Sequence, residues 1–415
     1  MRSIAEALHA MLPAFSPLGE EEVALSRAMG RFVARDVLAD LDLPPFDNSA
    51  MDGYAVRAED LRFAAAASPV RLPVRAESRA GGDLPPALAP GTACRIFTGA
   101  PMPAGADAVV IQEDTRHDGD EVEVLEASSL GKHVRFQGSD VKKGSVLLAA
   151  GECIRAGELG LLASQNIDRV PVYRPPRVAL LSTGDELREL GDELKRGAIV
   201  NSNVYVLTEM LRELGVIPVP LPAARDNLPE IEAALRKALE ADVVITMGGV
   251  SVGAYDLVQE AFANVGIEPG FWKVRIKPGK PLAFAQLDGK PVVGLPGNPI
   301  SAMVTFEILL APCLRKMLGV PAPHPQPFVA RLREAYRRRP GRVEIARAVA
   351  TREGDEIIVA LHDRQGSGSL PSFVGINALV ILPANKAELR AGEQVDAIPW
   401  GQGIRGSRSF FERLD

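Results

Sequence analysis

Between residues 177 and 314 the apolar positions alternate between two rhythms, and this is the strongest structural signal in the chain. Continuous apolar runs of strand length (RVALLST, VIPVPL, DVVITM) are separated by stretches over 203–214, 228–240 and about 255–264. In those stretches the apolar residues fall at helical spacing. Three further strand-like runs follow, FWKVRI, PLAFAQL and PVVGL, with a DG turn between the second and third. ISAMVTFEILLAPCL then closes the segment as a helix, after the cap-like Asn298 and the N1-type Pro299. Strands alternating with helices need crossover connections. The segment is therefore predicted to be a three-layer α/β unit with a largely parallel sheet and helices on both faces.

Elsewhere the rhythm changes. Helical spacing returns over 2–12 and 19–29, with Gly30 as a stop, and 36–49 (DVLADLDLPPFDNS) reads as a loop-like crossing. Residues 52–136 hold short strand-like runs such as CRIFTGA, AVVIQED and EVEVLEA, punctuated by DG, GG and PxP turns. VKKGSVLLAAGECI and a helix-like stretch at 157–165 have no core of their own and are expected to return to the first unit. RVEIARAVA, EIIVALHD and NALVILPA predict a small terminal sheet. The expected fold class is thus multidomain α/β. A helical–β module spans 1–46 plus 138–170, with a β-rich insertion over 47–137. The α/β unit covers 171–320, with roughly the first 20 residues a candidate addition to it; a small β domain covers 321–404 and a tail 405–415.

Composition narrows the chemistry. Glycine and proline number 38 and 33 in 415 residues, about 17% against a typical ~12%, with no fixed period, which favours sharp turns and proline-edged strands over a linker. A formal charge of −6 and only 5% aromatics argue against nucleic-acid binding, but leave room for a local cationic pocket. Cys94, Cys153 and Cys313 form no CxxC pair, and the five histidines are scattered, so neither a disulfide scaffold nor a soft-metal site is indicated. Nothing at the N-terminus reads as a signal peptide, and no apolar run reaches the ~18 residues of a membrane span; a cytoplasmic protein without membrane partners is expected.

In an open parallel sheet, ligands bind beyond the carboxyl ends of the strands. Acids fall there repeatedly: Asp185 and Glu186 after RVALLST, Asp226 after VIPVPL, Asp256 after DVVITM. Each one alone is equally well read as a helix cap. Together they predict a site, and carboxylates held close need a cation between them, for which Mg²⁺ is the fitting hard ion. GGVSVG (Gly248, Gly249, Ser251, Gly253) and LPGNPIS (Pro296, Gly297, Asn298, Ser301) are glycine loops at strand–helix junctions, suited to an oxyanion, although neither common nucleotide fingerprint is present. IKPGKP places Lys277 and Lys280 in one stiff turn as counter-charges for a polyanion. Upstream, PPFDNSAMDGYA carries Asp52, RIFTGAPMPAGAD carries Thr98 and Gly99, and HVRFQGSD ends in Asp140; local Asx turns account for most of these without any function.

Taken in order, PFDNSAMDGYA, IFTGAPMPAGADAVV, STGDEL, GGVSVGAYD, IKPGKP and GLPGNPISA resemble the MoeA family, the molybdopterin molybdenumtransferases, over about residues 5–400. The resemblance implies insertion of molybdate into adenylylated molybdopterin with release of AMP. It also implies Mg²⁺ dependence and a homodimer whose active site is shared between subunits. Asp52, Asp140, Glu186, Asp226 and Asp256 map onto the family's functional acids, Glu186, Asp226 and Asp256 among them as metal ligands. Thr98 with Gly99, the STGDEL residues Thr183, Gly184 and Asp185, both glycine loops and the two lysines map onto the substrate site. Transient contacts with a molybdopterin adenylyltransferase and with molybdoenzymes are implied as well. Two positions depart from the pattern: Ala254 and Ser139 stand where many relatives carry acids. The rival readings are a molybdopterin adenylyltransferase consuming ATP, and a non-catalytic dimeric scaffold that binds molybdopterin.

Overall fold

The structure is a computed structural model that describes residues 1–248, 257–401 and 403–406. Gly249, Ser251, Gly253 and Asp256 of the sequence-predicted site, and the departure at Ala254, lie outside the described residues.

The central sheet has six strands, in the order Ile217–Pro220, Arg177–Ser182, Val243–Met247, Lys290–Leu295, Pro281–Leu287, Glu268–Lys273. The first four are mutually parallel, and Pro281–Leu287 is antiparallel to both of its neighbours. Alternate side chains explain why both faces are covered. Val178, Leu180, Ile245 and Val293 point into one buried cluster with Leu207 and Leu211 of helix Ser202–Glu213. Ala179, Leu181, Val244 and Val292 point into a second, with Ile231 and Leu235 of helix Leu228–Ala238 and Phe262 of helix Leu257–Asn264. The predicted closing helix is present, broken by a π turn at Phe306–Leu310 between Pro299–Thr305 and Ala311–Met317. Strand Ile217–Pro220 is an outer edge. The amides of Ile217 and Leu221 donate inward to Pro176 and Leu180 carbonyls, while the alternate positions are Pro218 and Pro220.

At the N-terminus, helix Ile4–Met11 starts at a Ser3–Glu6 capping box and buries Ala7 and Met11 in the first central cluster. The helix expected over 19–29 is not formed. Glu20–Ala24 is a strand paired antiparallel with Arg169–Tyr173, followed by a single 3₁₀ turn, Leu25–Arg27. Pairing with a distant strand outweighs the local spacing. Val33, Val37, Leu148, Ile154, Leu162 and Val170 share one cluster, so the 146–172 stretch packs on the first unit.

The β-rich segment is a six-stranded sheet ordered Ala108–Ile111, Gly53–Val56, Ala93–Ile96, Val70–Ser78, Glu121–Val124, Thr115–Asp118. The C-terminal sheet is built on the long strand Val343–Glu353, and two outside segments join it. Arg405–Gly406, expected to be tail, pairs with Thr351 and Arg352. Ile276–Lys277, from the central unit, pairs in parallel with Val343–Glu344. This second pairing sets the position of the IKPGKP turn.

Candidate functional site

A cleft of about 680 Å³ opens at the carboxyl ends of the parallel strands, between the central unit and the C-terminal β sheet. Strand Arg177–Ser182 supplies Ser182, Thr183 and Glu186 at its exit, and Val243–Met247 supplies Met247 and Gly248. The junction after Lys290–Leu295 contributes Pro296, Gly297, Asn298 and Ser301, and the IKPGKP turn contributes Lys277 and Lys280. Glycine is required at two of these points. Gly248 has φ +96°, and a Cβ there would lie 2.9 Å from the Thr183 carbonyl oxygen. Gly279 has φ +105°, and a Cβ would lie 2.2 Å from Thr305 Cγ2.

The acids do not all converge on this cleft. Glu186 lines it, its carboxylate folded back toward Gly184, where a Cβ would lie 2.6 Å from Oε2. Asp185 and Asp226 stand beside the cleft and lock onto each other's backbones: Asp185 N–H donates to Asp226 Oδ2 (3.3 Å) and Asp226 N–H to Asp185 Oδ1 (3.2 Å). Asp226 is not a helix cap, because Asn227 fills that role by accepting from Glu230 N–H at 3.1 Å. Asn298 departs from its expected role. It occupies the N-cap position without a capping hydrogen bond and turns its amide toward Ser367 Oγ at 3.5 Å, while Pro299 follows at N1.

The upstream residues gather elsewhere. Asp52 Oδ1 accepts from both the backbone N–H and the hydroxyl of Thr98, each at 2.7 Å, and Gly99 N–H donates to Ser49 O. Thr98 thus serves Asp52 directly, and these two bonds hold the Asp52 carboxyl below its usual range, with the Arg95 charge a smaller aid. Asp140 accepts from Ser139 Oγ at 3.4 Å. Neither Asp52 nor Asp140 lines the cleft of its own chain. A carboxyl lowered in the folded state favours folding above the ordinary carboxylate range and loses that contribution as pH falls through the lowered value. Thr98→Ala removes the hydroxyl bond and keeps the backbone one, so it is expected to move the Asp52 titration midpoint part of the way up toward the ordinary aspartate value, read by NMR of the carboxyl carbon; an unmoved midpoint would show that the hydroxyl contributes nothing to the shift.

Several cleft residues were not anticipated from sequence. Asn201 is buried and accepts from Ser182 Oγ at 3.0 Å, its Nδ2 having no hydrogen-bond partner among the described residues, and Asn203 donates to Gly297 O at 2.7 Å. Arg342, Gln365, Gly366 and Ser367 come from the C-terminal sheet and its loop. The loop is fastened by Arg347, which is fully buried. Its guanidinium donates to the carbonyls of Arg364 (2.7 Å) and Gly366 (3.2 Å) and to Ser372 Oγ (3.2 Å). The available signal was the presence of Glu344 and Arg347 inside an apolar strand, since buried charges need partners.

Lys277, Lys280 and Arg342 all line the cleft, with Arg342 donating to the Ile276 carbonyl at 3.5 Å, and Glu186 lines it as well. Among the described residues the lining has no histidine or cysteine, and no three His, Cys, Asp or Glu side chains group closely enough to hold a metal ion by themselves. The donors are therefore hard oxygen atoms. Burial pushes the Cys94 thiol up to about 11 and that of Cys313 to about 12, so neither is a ready nucleophile. No helix among the described residues is long and apolar enough to cross a membrane.

Comparison with known proteins agrees along the whole chain. The MoeA N-terminal region (domain I and II) matches residues 2–166, a probable molybdopterin binding domain matches 179–316, and the MoeA C-terminal region (domain IV) matches 329–400. Molybdopterin molybdenumtransferase 2 of Mycobacterium tuberculosis is 38% identical over 400 residues, covering 95% of this chain and 96% of that protein. The molybdopterin molybdenumtransferase of Haemophilus influenzae is 38% identical over 388 residues, covering 92% and 95%. Among solved structures, a molybdopterin biosynthesis MoeA protein from Pyrococcus horikoshii superimposes with a TM-score of 0.83 at 34% identity, covering 97% of this chain and 99% of that one.

Proposed function

Because this chain belongs to the MoeA family, we propose that its cleft carries out molybdopterin molybdenumtransferase chemistry, inserting molybdate into the dithiolene of adenylylated molybdopterin with release of AMP. The observation that carries the reading is a single cleft lined by three cations, Lys277, Lys280 and Arg342, together with Glu186. The substrate is a pyrophosphate-linked polyanion, and molybdate is a second anion that must approach it. Fixed cations offset both charges, and a confined pocket raises the local molybdate concentration beside the dithiolene. Ser301 and the backbone around Gly297 and Asn298 orient oxyanions at the start of helix Pro299–Thr305. Exchange of oxygen for sulfur on molybdenum is ligand substitution, for which the protein supplies orientation and charge.

Magnesium fits the oxygen-only donors. It is commonly held by one or two carboxylates plus substrate phosphates, so a ready-made cluster of three acids is unnecessary. Glu186 would hold it, with Asp226 and Asp256 as the further acids of the reading, and it would supply charge neutralisation at the phosphoanhydride. Asp52 and Asp140 take part if a second copy of the chain presents its N-terminal units to the cleft, giving a homodimer with shared sites. The exposed, Thr98-organised carboxylate of Asp52 supports that reading. The purified protein is expected to release AMP from adenylylated molybdopterin and Mg²⁺ only when molybdate is added. Equal AMP release without molybdate, or ATP consumption in its place, would refute the assignment.

A further inference from the structure

The C-terminal sheet does more than wall the cleft. Lys277 Nζ lies 2.8 Å from Glu344 Oε1, and the Glu344 side chain is only 2% exposed while that of Lys277 is 36% exposed. Glu344 is fixed from its other side. Arg338 Nε lies 2.9 Å from Oε2, an ion pair without hydrogen-bond alignment, and the Tyr336 hydroxyl donates to Oε1 at 3.2 Å. The backbones are joined too, because Lys277 pairs with Glu344 in the parallel bridge between the central unit and the C-terminal sheet. A lysine side chain has four rotatable carbons and no preferred direction of its own. Here one end of its travel is set by a buried carboxylate that has no freedom to follow it.

We infer that Glu344 is a positioning residue: from the C-terminal sheet, it holds the Lys277 ammonium in place for an anion bound in the cleft that Lys277 lines. The inference rests on the functional reading above for the identity of that anion, molybdate. Glu344 touches no reacting atom and acts only through Lys277. Its charge also keeps Arg338 paired, so the substitution that tests it must preserve shape.

The test compares wild type, Glu344→Gln and Glu344→Asp, using calorimetric titration with sodium molybdate and molybdate-dependent AMP release. Glu344→Gln is expected to raise both the molybdate Kd and the half-saturating molybdate concentration about tenfold, leaving turnover at saturating molybdate within about twofold of wild type. Glu344→Asp, which keeps the charge, is expected to recover part of the loss. A purely structural role would lower melting temperature or the active fraction without moving half-saturation, and that result overturns the inference. So does a wild-type Kd in a folded Glu344→Gln protein or, if that variant does not fold, in Glu344→Met, which also removes the charge at similar length. Should wild type bind molybdate yet release AMP independently of it, the functional reading falls while the Kd comparison still decides the role of Glu344. A wild type that binds no molybdate refutes both.

Discussion

Replacing both cleft lysines, Lys277→Ala with Lys280→Ala, is expected to reduce kcat/KM for molybdate by roughly 10²–10⁴. Each lysine offers a charge-assisted hydrogen bond, worth about 1.5–3 kcal/mol when its partner is an anion, and each 1.4 kcal/mol is a factor of ten. Both side chains line the cleft, so the pair is removed from one place. The loss should be concentrated in the molybdate dependence, with a far smaller change in melting temperature. Lys280 is exposed, and Lys277 is partly so. Steady-state AMP release over a molybdate range checks this; activity within threefold of wild type would remove the two lysines from the anion site. Truncating Lys277 also leaves Glu344 without one of its two cations, so the double variant should be compared with Lys280→Ala alone to separate lost binding from a disturbed neighbour.

Arg347→Met is the second large effect, and it acts on stability before chemistry. The arginine is fully buried, and burial works against its charge while Glu344 supports it. Methionine matches much of its length but leaves the Arg364 and Gly366 carbonyls without the donors they now have. Hydrogen bonds from a charged donor contribute about 1.5–3 kcal/mol each, and water can reach the carbonyls of the exposed Arg364 and Gly366 and offset part of the loss, so a destabilisation of roughly 2–5 kcal/mol is expected. Calorimetry should show a transition lowered by about 4–20 °C, at the roughly 2–4 °C per kcal/mol typical of units this size. Activity should fall as well, because the 365–367 segment that Arg347 holds lines the cleft. Arg347→Lys should restore little, since an ammonium cannot reach two carbonyls and a hydroxyl in the spread geometry of a guanidinium. A Met variant as stable as wild type would show that these bonds contribute nothing net.

The central unit was legible because its signals are local. An apolar run of strand length followed by helical spacing specifies the crossover fold, and the fold places strand exits at one edge, which puts Thr183, Glu186 and Gly248 at the cleft. What stayed hidden depends on pairing between distant segments. Glu20–Ala24 reads as helix until Arg169–Tyr173 is known to lie beside it. Arg342 and Ser367 reach the cleft because the C-terminal sheet joins the central unit through the Ile276–Lys277 bridge and a shared apolar cluster, and a two-residue parallel bridge leaves no mark in either sequence. Asn298 takes the N-cap position that its type suggests, but without a capping side-chain bond, and its amide faces Ser367, supplied by another unit, at 3.5 Å. The acids were half legible. Residue type placed Asp226 at the correct edge, but not its reciprocal bonds with Asp185, which leave Glu186 as the acid on the cleft wall.

Pro218 and Pro220 on the outer strand have a consequence for assembly. Every second residue of that strand faces outward, and at both of these places the backbone has no N–H to offer. An incoming chain would find carbonyls but no donors, so it could not register as a seventh strand. The central sheet is therefore closed to growth on this side, and whatever docks there must be recognised through side chains.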